Sequence, residues 1–536
     1  MRRIIYIFIL SFCFANNLQA QQYENQPQIM NVEPGLYESQ VDSNLSIIRI
    51  EFNQDMNTGM SIMNSTNMVP FDGNVRWASS RVVEIPVKVE SGKLYDLHLN
   101  DSYHRNFQNA SGTPFDPVVL AFHTQTDTAQ CQLDSSWIQN RYRDFKEHFM
   151  SHYSYKDLHG ISWEEEFDSA GAAITSACSE SEFGLGMLGL LSKAEDLHLR
   201  LEIDGVIYNC ESRALVPVAH HFEAVHRDLE EVVASEHGIV HVGSLDSTGY
   251  IAISSLLSKY EDDMTFAIEH LKTFQDKSYL IIDLRANTGG WDKYAKTFVS
   301  HLIEDTIRYE KIVVYNEATG EFDDSSYREV IPADNSIQFK GKVFVLIDGN
   351  VMSSAEAFVL MLKQLPDVVL VGNTTGGSTG NPQKYGITGS VAAHIPSWQA
   401  YDMEGNLIEG NGIVPDVSLN YPEEDFTYRD PVFSYVLSSI DSLNNPTGMQ
   451  IPTFNLDIFP NPASDEIILH AKAFTEEACI VKLIDLQGRV MFSRKFYHRE
   501  NQKIKLDLRD EALLPGIYLI QVQFKHYNLC RKVMIH

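Results

Sequence analysis

Residues 343–371 read VFVLIDGNVMSSAEAFVLMLKQLPDVVLV. The run Val343-Phe344-Val345-Leu346-Ile347 is apolar throughout, rich in β-branched residues and too short for a buried helix. It predicts a strand covered on both faces. Residues 355–365 predict a helix, Pro366-Asp367 interrupts it, and residues 368–371 predict the next buried strand. Strand, helix and strand with joints this short make a right-handed parallel crossover, the unit of an α/β domain. Residues 279–284 (YLIIDL) predict another buried strand, and from about residue 128 helical stretches alternate with apolar strands.

The joints after these strands carry the chemistry. The first ends in Asp283-Leu284-Arg285-Ala286-Asn287-Thr288-Gly289-Gly290, where paired glycines let backbone N–H groups approach a ligand with no Cβ in the way. The second ends in Asp348-Gly349-Asn350-Val351-Met352-Ser353-Ser354-Ala355-Glu356, where a helix starts. A serine at a helix N-terminus is ordinarily a cap. These serines, however, stand at the carboxyl end of a parallel strand, where open α/β sheets place their sites. The positive helix end there favours an oxyanion.

Outward from this core the chain changes texture twice. Residues 28–127 predict a β-sandwich: Ile48, Ile50 and Phe52 alternate with polar neighbours, as do Val83, Ile85, Val87 and Val89, between turn pairs such as Pro34-Gly35 and Ser91-Gly92. Asn444-Asn445-Pro446-Thr447-Gly448 marks a linker, placed at 441–453, before a small β-rich module over 454–536. There is no internal repeat. At the start, Arg2 and Arg3 precede an apolar run over residues 4–14, and Leu18-Gln19-Ala20 offers a small residue at a cleavage point. This predicts a secretory signal peptide over 1–20. Cys13 follows Phe12, a poor context for lipid attachment. No later segment reaches membrane-spanning length, so no transmembrane segment is expected in the mature chain.

Lys and Arg total 42 against 72 Asp and Glu, a net charge of 42 − 72 = −30. A field of that sign repels phosphate backbones and argues against nucleic-acid binding. Beyond Cys13 the cysteines are Cys131, Cys178, Cys210, Cys479 and Cys530. Their wide spacings lack a CxxC zinc pattern and leave the disulfide pairing open, with Cys479 and Cys530 one option inside the last module.

Three resemblances follow from motifs. Pro34-Gly35, Ile50-x-Phe52-x-x-x-Met56, Trp77, Tyr95-x-Leu97 and Phe122-x-Thr124 resemble a bacterial immunoglobulin-like domain, which implies a spacer or adhesion role for 28–127. Phe459-Pro460-Asn461-Pro462-Ala463, Leu483-Ile484-Asp485-Leu486-x-Gly488-Arg489 and Pro515-Gly516-Ile517-Tyr518 resemble the C-terminal sorting domain of the Bacteroidetes type IX secretion system. That implies type IX secretion machinery as a partner and a secreted or cell-surface location at the outer membrane. The stretch 128–440 resembles the S41 serine peptidases, which include C-terminal processing proteases and the tricorn protease. Asp283 to Gly290 matches its D-L-R-x-N-x-G-G signature, Ser353 to Glu356 its S-x-[AGS]-E motif, and Val371-Gly372 to Gly377 its V-G-x-x-T-x-G pattern. The resemblance implies a ClpP/crotonase-like α/β core and peptide or protein substrates.

Two mechanisms exist in that family. The processing proteases use a Ser–Lys dyad, but the lysine position of G-x-x-T-x-G-K is Ser378 here, and Lys384 is the next lysine. The tricorn-like branch uses histidine and glutamate, the histidine in a D-x-H context and the glutamate just before G-[IV]-x-P-D. Asp196-Leu197-His198 and Glu409-Gly410-Asn411-Gly412-Ile413-Val414-Pro415-Asp416 match these. The resemblance thus implies Ser353 as nucleophile, His198 as general base and Glu409 as its orienting partner. Backbone N–H groups of Gly289 or Gly290 and of Ser354 would form the oxyanion hole. Serine needs such a base, since its hydroxyl is a poor nucleophile alone. Ser354 is the rival nucleophile, Glu356 a supporting residue in the helix's first turn, and Leu197 occupies the place of a bridging serine before the histidine.

His148 and His152, four apart, lack the Glu of an HExxH site, and the His220-His221 side chains cannot both face one site. No phosphate loop, dinucleotide fingerprint or PDZ-like segment is evident, so no cofactor and no metal is expected. The resulting expectation is an exported serine peptidase acting through an acyl-enzyme. The alternative is a catalytically inactive S41-like surface protein that binds peptides, motivated by Met352 before the serine and Leu197 before the histidine.

Overall fold

The computed structural model describes residues 26–535, except 102–103, 127–130, 132, 211–215, 217–218, 335, 338, 445–456, and loops of the last module at 460–462, 464–465, 471–477, 485–489, 498–502, 510–512, 514–515 and 524–527. The expected signal peptide and most of the expected linker lie outside the described residues. The linker's first residues, 441–444, continue a helix, because Val432, Phe433, Val436 and Ile440 keep one face of it buried up to that point.

Seven strands open the described chain: Ile29–Glu33 (β1), Ile47–Phe52 (β2), Ile62–Met63 (β3), Arg76–Ser79 (β4), Val82–Pro86 (β5), Leu94–Leu99 (β6) and Val118–His123 (β7). They form two antiparallel sheets, β1-β2-β5-β4 and β3-β6-β7. The alternating residues Ile48, Ile50, Phe52, Val83 and Ile85 meet Leu97, Leu99, Leu120 and Phe122 in one core between them.

Helices Ser135–His152 (α1), Trp163–Ile174 (α2) and Glu180–Leu191 (α3) follow, then the hairpin Arg200–Ile203 (β8) and Val206–Asn209 (β9). Cys131 and Cys178 are disulfide-bonded, joining the chain ahead of α1 to the turn before α3. The next elements are Phe222–Asp228 (α4), Glu230–Ala234 (β10), Val240–Leu245 (β11), Thr248–Ile253 (β12), Glu261–Thr273 (α5), Tyr279–Asp283 (β13) and Asp292–Ser300 (α6). A long hairpin, Ile307–Asn316 (β14) and Glu321–Val330 (β15), leads to Lys342–Ile347 (β16), Ser354–Lys363 (α7) and Val368–Gly372 (β17). Gln383–Gly386 (β18), Val391–Ile395 (β19), Trp398–Tyr401 (β20), Val417–Ser418 (β21) and Pro431–Asn444 (α8) complete this part.

Its centre is a seven-stranded sheet in the order β10-β11-β12-β13-β16-β17-β21, parallel from β12 onward. The crossover read from residues 343–371 is β16-α7-β17. Alternation along each strand divides the core in two. Leu280, Ile282, Val343, Val345 and Ile347 face α5, α6 and α7, whereas Tyr279, Ile281, Phe344, Leu346 and Val371 face α4 and α8. A second sheet, β18-β19-β8-β9, packs on α1–α3, and a third, β15-β14-β20, stands beside it.

The last module has Asp457–Phe459 (β22), Glu466–His470 (β23), Cys479–Ile484 (β24), Val490–Phe496 (β25), Lys503–Asp507 (β26), Gly516–Gln523 (β27) and Asn528–Ile535 (β28). Its sheets, β22-β23-β26 and β25-β24-β27-β28, share one apolar core. Strand β27 lies between β24 and β28, so Cys479 and Cys530 stand two strand spacings apart. That is ~10 Å, beyond the reach of a disulfide, and it removes that option.

Candidate active site

Ser353 sits where β16 turns into α7, with φ 56° and ψ −128°, a conformation that a β-carbon disfavours. Such strain costs about 1–3 kcal/mol and persists only where neighbours over-determine the backbone. Four contacts do so. Asp348, fully buried, accepts the N–H groups of Ala286 (3.2 Å) and Asn350 (2.9 Å). The Met352 N–H donates to the Asn287 carbonyl (3.2 Å), and the Ser353 N–H to the Ser378 carbonyl (2.8 Å). The end of β13 and the end of β16 are therefore laced into one platform.

The paired glycines are required by closeness. A β-carbon at Gly289 would lie 2.8 Å from the Met352 carbonyl and 2.9 Å from Ser353 Cβ, and one at Gly290 would lie 2.2 Å from the Leu256 backbone. Among the described residues, the Gly290 and Ser354 N–H groups donate no hydrogen bond. The Gly289 N–H is engaged by the Asn287 side-chain oxygen at 2.9 Å. Gly289 is thus corrected from oxyanion donor to spacer, because the Asn287 side chain folds back two residues and takes its N–H. The Ser354 hydroxyl donates to the Gly290 carbonyl at 2.7 Å, which ties it to the turn. Exposed Leu257 and Trp291 flank the turn, brought together by the Trp291 N–H to Leu256 carbonyl bond of 2.7 Å.

His198 comes from outside the central sheet, from the turn between α3 and β8. Asp196 builds that turn: its Oδ1 accepts the His198 N–H (2.7 Å) and the Leu199 N–H (3.1 Å), and its Oδ2 accepts the Tyr153 hydroxyl (3.0 Å). His198 Nδ1 lies 2.5 Å from the Ser378 hydroxyl. Ser378 therefore touches both residues, through its carbonyl to the Ser353 N–H and through its side chain to His198. Burial, with the Arg200 guanidinium adding to it, pushes the His198 pKa down to about 4. The imidazole is neutral at working pH.

Glu409 is buried, but no hydrogen bond joins it to His198. Its Oε2 accepts the N–H of Thr379 (2.6 Å) and the Thr379 hydroxyl (3.0 Å), and Tyr155 bonds that hydroxyl at 2.7 Å. Neighbouring side chains 378 and 379 diverge, Ser378 to the histidine and Thr379 to the glutamate, so no single hydroxyl touches both His198 and Glu409. Burial, then the nearby Asp196 carboxylate, pushes Glu409 well above the usual carboxylate range.

Glu356 does more than sit in the first turn. Its Oε1 accepts the Thr375 hydroxyl (2.6 Å) and Gly377 N–H (2.8 Å), and its Oε2 the N–H groups of Ser378 (3.0 Å) and Ser353 (3.2 Å). Burial raises its pKa to about 7 while these donors pull it back. Lys384 stays outside, paired with Glu202 at 2.5 Å on the outer strands. His148 stacks on His152 (4.0 Å) and on Tyr385 (3.8 Å), and His221 caps α4. Among the described residues no His, Cys, Asp and Glu cluster is arranged to hold a metal ion.

Ser378, Thr379, Tyr155 and Asp430 were not singled out as site residues by sequence reasoning. Ser378 had a signal, since it replaces the dyad lysine. Asp430, which pairs with the buried Arg285 at 2.9 Å, had none.

A serine elbow beside a glycine turn, at the carboxyl ends of a parallel sheet, is the arrangement of a serine-nucleophile α/β enzyme. Residues 247–419 match peptidase family S41, and residues 457–536 match a secretion system C-terminal sorting domain, so the chain carries both. The S41 match includes Ser353 and Glu409 but begins after His198. The carboxy-terminal processing protease CtpA of Bacillus subtilis (strain 168) is 28% identical over 180 residues, 33% of this chain and 36% of the relative. CtpB of the same organism is 24% identical over 196 residues, 36% of this chain and 38% of the relative. The matches thus span less than two fifths of either protease. A crystal structure assigned as a peptidase from Parabacteroides merdae ATCC 43184 is 19% identical with a TM-score of 0.48, covering 56% of this chain and 96% of that one. The sorting domain implies a secreted or cell-surface protein. No helix among the described residues is long and apolar enough to cross a membrane.

Proposed function

We propose that the protein is an exported serine peptidase that cleaves peptide bonds through an acyl-enzyme, with Ser353, His198 and Glu409 as its working set. The signal peptide carries it out of the cytoplasm and the type IX machinery takes it across the outer membrane. The observation that carries this reading is the strained Ser353 elbow, whose N–H rests on the Ser378 carbonyl while the Ser378 side chain holds His198.

For catalysis, Nδ1 of His198 keeps its proton and donates a hydrogen bond to the Ser378 oxygen, leaving Nε2 with its lone pair. Nε2 takes the Ser353 proton as the oxygen attacks the scissile carbonyl, then passes it to the leaving amine. The oxyanion meets the N–H groups of Gly290 and Ser354, each worth about 3 kcal/mol in such a site. Water then enters, His198 takes its proton, and the acyl group leaves Ser353. Glu409 acts through Thr379, fixing the segment between β17 and β18 that presents Ser378.

The reading is tested by fluorophosphonate labelling of the secreted chain with Ser353→Ala and Ser354→Ala alongside, scored by intact mass. One adduct, absent only from Ser353→Ala, is the expected result. The missing direct contact between His198 and Glu409 favours the second reading, a peptide-binding protein without turnover. A folded wild type that takes no adduct but binds peptides would establish that second reading instead.

A further inference from the structure

The outer face of a spacer sandwich should be polar and wet, since only its inner face packs. Here β6 and β7 are buried on both faces. Tyr95, Leu97, Leu120 and Phe122 fill the sandwich core, while Leu94 and Ala121 join the core of α1–α3, which also contains Leu199 and Leu201 on either side of Arg200. Asp96, on that outward face, is fully buried. A carboxylate is placed there only when it is paired.

Ser65 and His98 of the sandwich pair with it, and one further partner leads toward the histidine. Asp96 Oδ2 accepts the Tyr208 hydroxyl at 3.0 Å, and Asn67 donates to the same oxygen of Tyr208 at 2.8 Å. Tyr208 lies on β9 opposite Leu201 of β8, and β9 is followed by Cys210, whose N–H donates to the Leu199 carbonyl at 3.0 Å. The hairpin so held begins two residues after His198. On the other flank, a β-carbon at Gly189 would lie 3.2 Å from Tyr37, whose hydroxyl faces Ser192. Gln40 hydrogen-bonds Glu182 of α3, and Glu182 also accepts the Cys178 N–H at 2.8 Å. Both the helix entering the His198 turn and the hairpin leaving it are gripped by residues of the sandwich.

We propose that the N-terminal sandwich is a built-in brace of the catalytic histidine, with Asp96 and Tyr208 as positioning residues, rather than a spacer. The inference rests on His198 being the general base. It corrects the spacer or adhesion role implied by the immunoglobulin-like motifs, for a physical reason: a detached module would not bury a carboxylate and an alanine on its outer sheet face.

The test uses the full chain with Tyr208→Phe, Asp96→Ala and Asp96→Asn, and Arg76→Ala as a control in an exposed pair on the far sheet. Hydrogen exchange is read at 196–203 and 348–356, and kcat, KM and fluorophosphonate labelling rate are measured. Tyr208→Phe is expected to lower kcat and labelling rate about tenfold with KM within about twofold. Exchange should rise at 196–203 and stay unchanged at 348–356. Asp96→Asn, which keeps an acceptor oxygen, should restore most of what Asp96→Ala loses, and Arg76→Ala should match wild type. If Asp96→Ala does not fold, Tyr208→Phe carries the test. Unchanged exchange and kcat in folded Tyr208→Phe would overturn the brace. A wild type that neither labels nor cleaves would remove the peptidase reading, and the exchange at 196–203 would still decide the brace.

Discussion

The two halves of the site are built in different ways. The half proposed to carry the nucleophile consists of two contiguous stretches, 283–290 and 348–356, at the ends of adjacent parallel strands β13 and β16. Its framework is backbone: a left-handed φ at Ser353, close approach at Gly289 and Gly290, and, among the described residues, N–H groups at Gly290 and Ser354 that donate no hydrogen bond. The histidine half has no such stretch. His198 meets Ser378 from 180 residues away, Thr379 meets Glu409 from 30, and Tyr153 comes to Asp196 from 43. Backbone function needs particular residues in a row, whereas side-chain function needs only that distant segments end up adjacent.

Glu356 joins the halves, and its replacement has the largest expected effect. Glu356→Gln places an amide N–H₂ against donors that now meet carboxylate oxygens, which should cost about 1–3 kcal/mol of stability. Loss of register between Ser353 and Ser378 should lower kcat about a hundredfold. Urea denaturation and labelling rate measure the two, and a stable, fully active variant would show that the halves are independent.

A smaller effect sharpens the histidine half alone. Ser378→Ala removes the acceptor of the His198 Nδ1 proton but keeps the carbonyl that holds Ser353. Steady-state kinetics should show kcat down about tenfold with KM within about twofold. A fall in Tm without any change in kcat would reduce Ser378 to packing.

The smallest effect is one of pH. Because burial and Arg200 hold the His198 pKa at about 4 instead of 6.5, the acid limb of kcat/KM should fall well below pH 6.5. Arg200→Gln removes a cation that disfavours imidazolium, so the limb should move up in pH. The same shift bears on stability. Between about 4 and 6.5 the unfolded chain binds a proton that the folded His198 does not, so this contribution is full above 6.5 and is lost as pH falls toward 4. A pH–rate profile and melting curves across that window check both signs.

The legible parts of the molecule were those written locally. The apolar run 343–347 became β16, paired on both sides in parallel, and residues 355–362 became the buried core of α7. Helix α7 stops at Lys363 rather than residue 365, where Pro366 forbids continuation. The alternation in β2 and β5 marked a sandwich. The Gly289 N–H misled, because whether a glycine donor is free depends on where the Asn287 side chain turns. For Glu409, motif position says which segment is near, not which neighbour its carboxylate meets, and that neighbour is Thr379.

Periodicity, turn chemistry and short motifs were enough to define the α/β core, the elbow, the glycine turn and the sorting module, since each rests on interactions within about ten residues of chain. Three-dimensional packing alone settled the rest. It put Ser378 on His198, Thr379 on Glu409, Cys131 on Cys178 and the buried Asp96 on Tyr208. These pairs are separated by long stretches of chain, and their meeting depends on how whole layers stack. A sheet face prepared for water and one prepared for a neighbouring helix can look alike until the helix is in place.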